Sequence, residues 1–143
     1  MALRANNIKM DLSKVDKLKF VEGVPVVTIK QNKTKLDFII DTGASHSFII
    51  DSLIEELVYK PAKSHYRVYG FDAISNESNT IFIDFKINKY QFKNHLFQVI
   101  KIPGIERLNK KYNTSIRGIL GSDFLKQHGF LIDLKGNFLY KEA

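Results

Sequence analysis

A chain of 143 residues, 44% hydrophobic and 26% charged, is long enough to bury one core and short for two domains. With no cysteine it has no disulfide framework, no thiolate metal site and no thiol nucleophile. The net charge of +7 comes mainly from lysines spread along the chain, with arginine only at Arg4, Arg67, Arg107 and Arg117, which is the pattern of a solvated surface and not of a nucleic-acid reader.

Residues 1–18 read as a charged, weakly patterned leader with room for a short edge strand or a helical turn. They lack the apolar segment of a signal peptide. No apolar run approaches the roughly 18 residues of a transmembrane helix. The expectation is a cytoplasmic protein with no membrane partner, either whole or as a piece of a larger parent.

From residue 24 the pattern turns to β, in keeping with eleven Phe and no Trp. Residues 24–30 predict a strand that tolerates Pro25 near its start. After a polar turn at 31–34, residues 35–40 alternate, with Leu36, Phe38 and Ile40 on one face and Asp37 and Ile39 on the other. The strand runs into the loop Asp41-Thr42-Gly43-Ala44-Ser45. Phe48-Ile49-Ile50 is a short apolar segment. Asp51 or Ser52 then caps a short helix that Pro61 closes. Residues 66–71 and 81–87 predict two strands joined by the polar stretch 72–79, in the manner of a hairpin. Asn88-Lys89 turns into a long strand at 90–101, whose apolar phase slips between Phe92 and Phe97 and predicts a bulge. Pro103-Gly104 breaks the chain, and 105–112 predicts a helical turn. A short strand at 116–120 precedes a helix at 122–128, capped by Ser122 or Asp123 and stopped by Gly129. A hairpin of 130–134 and 138–141 closes the chain. Many short strands with two or three short helices predict a mainly β domain, a small barrel or sandwich.

The segment with chemistry in it is Phe38-Ile39-Ile40-Asp41-Thr42-Gly43-Ala44. An apolar strand delivers an acid to a turn, and Gly43 lets the backbone fold back on the carboxylate. Alone, this also fits a plain β-turn in which Asp41 and Thr42 bond their own backbone. A second segment, Ile119-Leu120-Gly121-Ser122-Asp123-Phe124-Leu125, sets an apolar pair and a glycine before a helix. Two neighbouring carboxylates that share one proton can act as a base towards water and as an acid towards a leaving group. The histidines His46, His65, His95 and His128 show no metal-ligand spacing, so neither metal nor cofactor is expected. Asp123 reads as a helix cap.

Together the two segments, with a hairpin between them, resemble the retropepsin-like aspartic peptidases, the retroviral-type proteases and their cellular relatives. The resemblance spans about residues 24 to 140. It implies a small closed β-barrel or sandwich of the acid-protease type, one lobe per chain, with residues 19–143 as a single peptidase domain. It implies a homodimer in which each subunit gives one Asp41 to the catalytic pair, with residues 1–18 a candidate part of the dimer interface. Thr42 would hydrogen-bond across the dimer and Gly43 would support the loop. Ala44, Ser45 and Ile119 become candidate contacts to an extended peptide substrate, with plain turn stabilisation an equal reading for Ser45. Ile74, Ser75 and Asn76 become the flap residues over it, with Asn76 suited to the turn. Ala44 stands where pepsins carry Ser, so the expected pH optimum is less acidic than pepsin's. The flap stretch 72–79 lacks the glycine usual at the tip. The alternative reading keeps the fold without the activity, as a catalytically silent dimerisation or peptide-binding module. A phosphate loop of the sugar-kinase and actin type also fits Asp41–Ser45, but those folds need two large α/β lobes, for which a mainly β chain of this length has no room.

Overall fold

Strands with one apolar face must cover it, and here most of them cover each other. The computed structural model of the protein describes residues 2–5, 8–62, 66–69 and 75–143. In chain order the strands are β1 (Ala2–Ala5), β2 (Ile8–Lys17), β3 (Lys19–Val21), β4 (Val24–Gln31), β5 (Thr34–Ile40), β6 (Phe48–Ile50), β7 (Lys60–Pro61), β8 (Tyr66–Tyr69), β9 (Ser75–Ser78), β10 (Thr80–Ile87), β11 (Tyr90–Ile100), β12 (Ile116–Leu120), β13 (Phe130–Asp133) and β14 (Phe138–Glu142). A 3₁₀ helix at Asp51–Glu56 and two α-helices, α1 (Ile105–Tyr112) and α2 (Ser122–Gln127), complete the chain. Among the described residues no helix is long and apolar enough to cross a membrane.

Six strands close a barrel in the order β4-β5-β12-β6-β11-β10, and β10 returns to β4 where Lys86 meets Lys30. The pairs β5–β12 and β6–β11 are parallel, while β12 and β6 run antiparallel. The expected alternation holds: Leu36, Phe38 and Ile40 of β5 and Ile81, Ile83, Phe85 and Ile87 of β10 all point into the core. Phe38, Phe85, Phe97 and Phe124 are its largest fully buried side chains. The bulge predicted in β11 is present. The β10–β11 register shifts between Ile83 and Phe85, Asn94 takes a positive φ of 54°, and its amide donates to the Asp84 carboxylate at 2.6 Å.

A second sheet, in the order β1-β2-β14-β13, lies beside the barrel. It recruits the first residues of the chain, which were expected to form a leader with a short edge strand or a helical turn. β2 is ten residues long, pairs with β14, and sends Val15 into the core that Leu139 of β14 also enters. Ile8, Met10 and Leu12 alternate with Lys9, Asp11 and Ser13, but the phase slips before Val15, where the β14 register also shifts, so the ten residues do not show as one strand in sequence.

Three local expectations are corrected. The 3₁₀ helix starts from Ile50 with no side-chain cap, so neither Asp51 nor Ser52 plays that part. The α2 helix starts from Gly121, again with no side-chain cap. Asp123 instead reaches back to Ser47. Finally, β8 pairs with β9 and not with β10: Val68 lies opposite Asn76 and Tyr69 opposite Ser75. Asn76 therefore lies inside a ladder, and residues 70–74, including Ile74, fall outside the described residues.

Asp37, on the outer face of β5, is only 4% exposed. Its Oδ1 accepts from Thr28 Oγ1 at 2.9 Å and pairs with Lys19 Nζ at 2.7 Å, and its Oδ2 accepts the Ser115 amide at 2.9 Å. It thereby ties β3, β4 and β5 to the entry of β12. Burial pushes this carboxyl up, but Lys19, the Ser115 amide and Thr28 together hold it below the usual carboxylate value. Asp37→Ala is expected to cost about 1–3 kcal/mol at neutral pH. A group lowered in the folded state stabilises above its unfolded pKa, about 3.9, and loses that contribution as pH falls through the folded value. The gap between wild type and variant in urea melts should therefore shrink below about pH 4. A gap that is constant with pH would rule out the ionised carboxylate as its source.

Candidate active site

β5 ends at Ile40 and presents Asp41 at the mouth of the barrel. The next turns are held to the strand end of β12. The Asp41 amide donates to Leu120 O at 3.0 Å, continuing the parallel ladder in which Ile39 faces Ile119 and Ile40 faces Leu120. The Ala44 amide donates to Asp41 O at 3.1 Å and closes a turn. The Ser122 amide donates to Ala44 O at 2.7 Å. The two motifs, distant in sequence, are thus one structure.

Two glycines permit this approach. The Gly43 amide donates to Asp41 Oδ1 at 2.9 Å, and a Cβ at Gly43 would sit 3.3 Å from that same oxygen. At Gly121 a Cβ would lie 2.4 Å from His46 O and 2.8 Å from Ala44 O, closer than any side chain can pack, so only glycine lets β12 meet the loop.

Asp41, Thr42 and Gly43 are exposed in the single chain. Among the described residues no second carboxylate hydrogen-bonds Asp41, whose partner is the Gly43 amide. One carboxylate with one amide donor binds a water or a proton but does not supply both halves of an acid–base pair. Beside it opens a cavity of about 820 Å³, lined by Asp41 and Thr42 with Phe20, Val24, Pro25, Ile39, Ile40, Ile132 and Leu134. Leu134 is 61% exposed, and Phe20 and Val24 are 39% exposed each, so the carboxylate stands at the edge of an uncovered apolar surface.

Of the site residues expected from sequence, Asp41, Thr42, Gly43, Ala44 and Ser45 share this loop, and Asp41 and Thr42 line the cavity. Ala44 is half-buried with its carbonyl on Ser122, and Ser45 is exposed. Ile119 lies half-buried in β12 against Ile39 and does not line the cavity. Ser75 and Asn76 lie in β9. The sequence reading missed Phe20, Val24, Ile132 and Leu134. Each is an ordinary apolar position in a strand or at its end, and only their convergence on Asp41 distinguishes them. It also missed Ser47, a buried hydroxyl at the end of the loop.

A family model described as "Aspartyl protease" matches residues 26–124. No curated protein matches the chain significantly. Among solved structures, the fold is similar to that of a retropepsin-like aspartic protease from Rickettsia conorii, at 19% identity over 94% of this chain and 93% of that one, with a TM-score of 0.61. The retroviral protease-like domain of Ddi1 from Leishmania major is similar at 21% identity over 88% of both chains, with a TM-score of 0.51. The protease of EIAV, in complex with an inhibitor, is similar at 20% identity over 75% of this chain and 89% of that one, also with a TM-score of 0.51.

Proposed function

We propose that this chain, which belongs to the retropepsin-like aspartyl protease family, is an aspartic endopeptidase that acts as a symmetric homodimer. The observation that carries the proposal is the placement of Asp41. It is an exposed carboxylate on a doubly anchored turn, beside an apolar surface whose Phe20, Val24 and Leu134 are left exposed among the described residues. A twofold axis through this loop would bring two Asp41 carboxylates together and bury Thr42 between them. The sheet β1-β2-β14-β13 also ends at β13, which carries Ile132 of the cavity and whose outer edge pairs with no strand among the described residues, and this supports pairing with a second copy.

In such a pair the two carboxyls share one proton, since like charges at hydrogen-bonding distance do not ionise together. The ionised one takes a proton from water as its oxygen attacks the peptide carbonyl carbon. The protonated one first hydrogen-bonds the carbonyl oxygen, and a proton then passes to the nitrogen as the C–N bond breaks. The substrate is an extended peptide, held as a strand by main-chain hydrogen bonds under the β8–β9 hairpin, with apolar side chains beside Ile39 and Ile132. Ile119, Ala44, Ser45, Ile74, Ser75 and Asn76 are proposed to border it.

The test is cleavage of a broad peptide library from about pH 4 to 7, with products sequenced by mass spectrometry across a dilution series. Specific activity should fall on dilution in step with the loss of dimer seen by sedimentation. A protein that sediments as a dimer and cleaves nothing would favour the silent module. Cleavage that persists undiminished in the monomer would remove the shared dyad.

A further inference from the structure

The loop that begins at Asp41 ends at Ser47, and Ser47 is where a second set of polar side chains gathers inside the protein. Ser47 is 1% exposed and His95, on β11, is 8% exposed. Ser47 Oγ donates to Asp123 Oδ1 at 2.8 Å, and the Ser47 amide donates to Asp123 Oδ2 at 3.2 Å. Ser47 Oγ also accepts the Gly121 amide at 3.0 Å, and the Ser47 carbonyl accepts the Gln98 amide at 3.0 Å. His95 Nε2 stands 3.3 Å from Asp123 Oδ2 and 3.3 Å from Ser47 Oγ. Because both of those oxygens are acceptors towards it, Nε2 carries the proton. The imidazole is wedged edge-on between Phe97 and Phe124, each with its centroid 5.0 Å away.

We propose that Asp123 is a positioning residue for the loop bearing Asp41, acting through Ser47 with His95 as its support. The inference rests on Asp41 being the reacting group. The segment 120–123 grips the loop at both ends. Leu120 holds the Asp41 amide, Ser122 holds the Ala44 carbonyl, and Gly121 and Asp123 hold Ser47. Removing Asp123 takes the carboxylate's two bonds from Ser47 while Gly121 and Gln98 still hold it, so the loop loosens at that end instead of detaching.

The grip depends on a group that only accepts. The Ser47 amide, the Ser47 hydroxyl and His95 Nε2 all present hydrogens to the same carboxylate, and only an ionised carboxylate accepts from all three at once. Burial pushes the Asp123 carboxyl up, but His95, Ser47 and the Phe124 amide outweigh it and hold it below the usual value, so it stays ionised in mildly acidic solution. An asparagine there would turn an NH₂ towards at least one of these donors. The cluster is not a serine nucleophile with its base, because the hydroxyl proton is committed to Asp123 and the oxygen is buried.

The experiment compares the wild type with Asp123→Asn and Ser47→Ala by amide hydrogen exchange and by kinetics with the protein held as dimer. Exchange at the Ala44, Ser47, Gly121 and Ser122 amides should rise at least about tenfold in both variants, while barrel amides such as Val27 and Phe97 keep their protection. In the same samples kcat should fall about 10- to 100-fold with KM within about threefold, because a displaced reacting group costs rate more than binding. Unchanged exchange in the loop overturns the proposal whether or not any cleavage is observed. Raised loop exchange with kcat unaltered overturns it as well. If barrel protection collapses in both variants, the cluster serves folding and not positioning, which again overturns it. A wild type without cleavage counts against the peptidase reading alone, and the exchange result then decides the loop's anchorage.

Discussion

Asp41→Asn is expected to lower kcat by at least about 10³-fold while leaving fold and dimer intact. Asparagine keeps an oxygen for the Gly43 amide, which now reaches Asp41 Oδ1 at 2.9 Å, so the turn has no reason to open. It neither takes a proton from water nor gives one to the leaving nitrogen, and each of these tasks is worth about 10²–10⁴. The decisive arm is mixing. If each subunit supplies half of the catalytic pair, equal amounts of wild-type and variant chains, pairing at random, leave roughly one quarter of the dimers with two Asp41 carboxylates. Activity should fall to that level of an equal total amount of wild type, whereas chains working independently would retain half. Circular dichroism and sedimentation on the same samples guard against a misfolded variant. Full activity in Asp41→Asn would end the assignment of Asp41.

Phe85→Ala should cost about 3–5 kcal/mol, the range for emptying a buried phenylalanine site. Phe85 is 1% exposed and sits among four other rings. The centroids of Phe124, Phe92, Phe97 and Phe38 lie at 5.5, 5.6, 6.0 and 6.4 Å. They come from β5, β11 and α2, so the cavity left behind is bounded by elements that cannot all close on it. Set against the 5–15 kcal/mol typical of a whole domain, a loss of this size takes a large part of the stability. Urea unfolding should show a lower midpoint with the slope retained. Phe85→Leu, which keeps most of the volume, should lose much less. A loss below about 1 kcal/mol would mean that the rings are not packed as described. The consequence reaches the loop that carries Asp41, because Phe124 is fully buried beside Phe85 and follows Asp123 directly.

Much of this architecture was legible because it is local. Period-two alternation in 35–40 and 81–87 sorts inward from outward residues, whatever the strands pair with. Breaks in that alternation were as informative: the slip between Phe92 and Phe97 predicted a bulge, which the structure has around Asn94, and Pro103-Gly104 set the start of α1. Asp41-Thr42-Gly43 stood out because a strand, an acid and a glycine in that order already describe a turn with a presented carboxylate.

Other features have no local signature. Asp123 has the sequence of a helix cap, and nothing nearby in the chain tells it to bond Ser47 and His95 instead. Asp37 sits at a strand position that alternation marks as outward, and becomes buried because β3 and the entry of β12 cover it. Ser75–Ser78 reads as a polar loop and becomes a strand because Tyr66–Tyr69 offers it a partner. Phe20, Val24 and Leu134 become an exposed apolar rim only when three separate segments converge beside Asp41.

The sequence by itself therefore determined the inward faces of β5 and β10, the break before α1 and the turn that carries Asp41, since these follow from the conformational limits of a few neighbouring residues. The tertiary structure decided the partners of the polar groups and the closure of the barrel. A buried donor or acceptor takes whichever complementary group the distant chain brings within about 3 Å, and no periodicity encodes that choice.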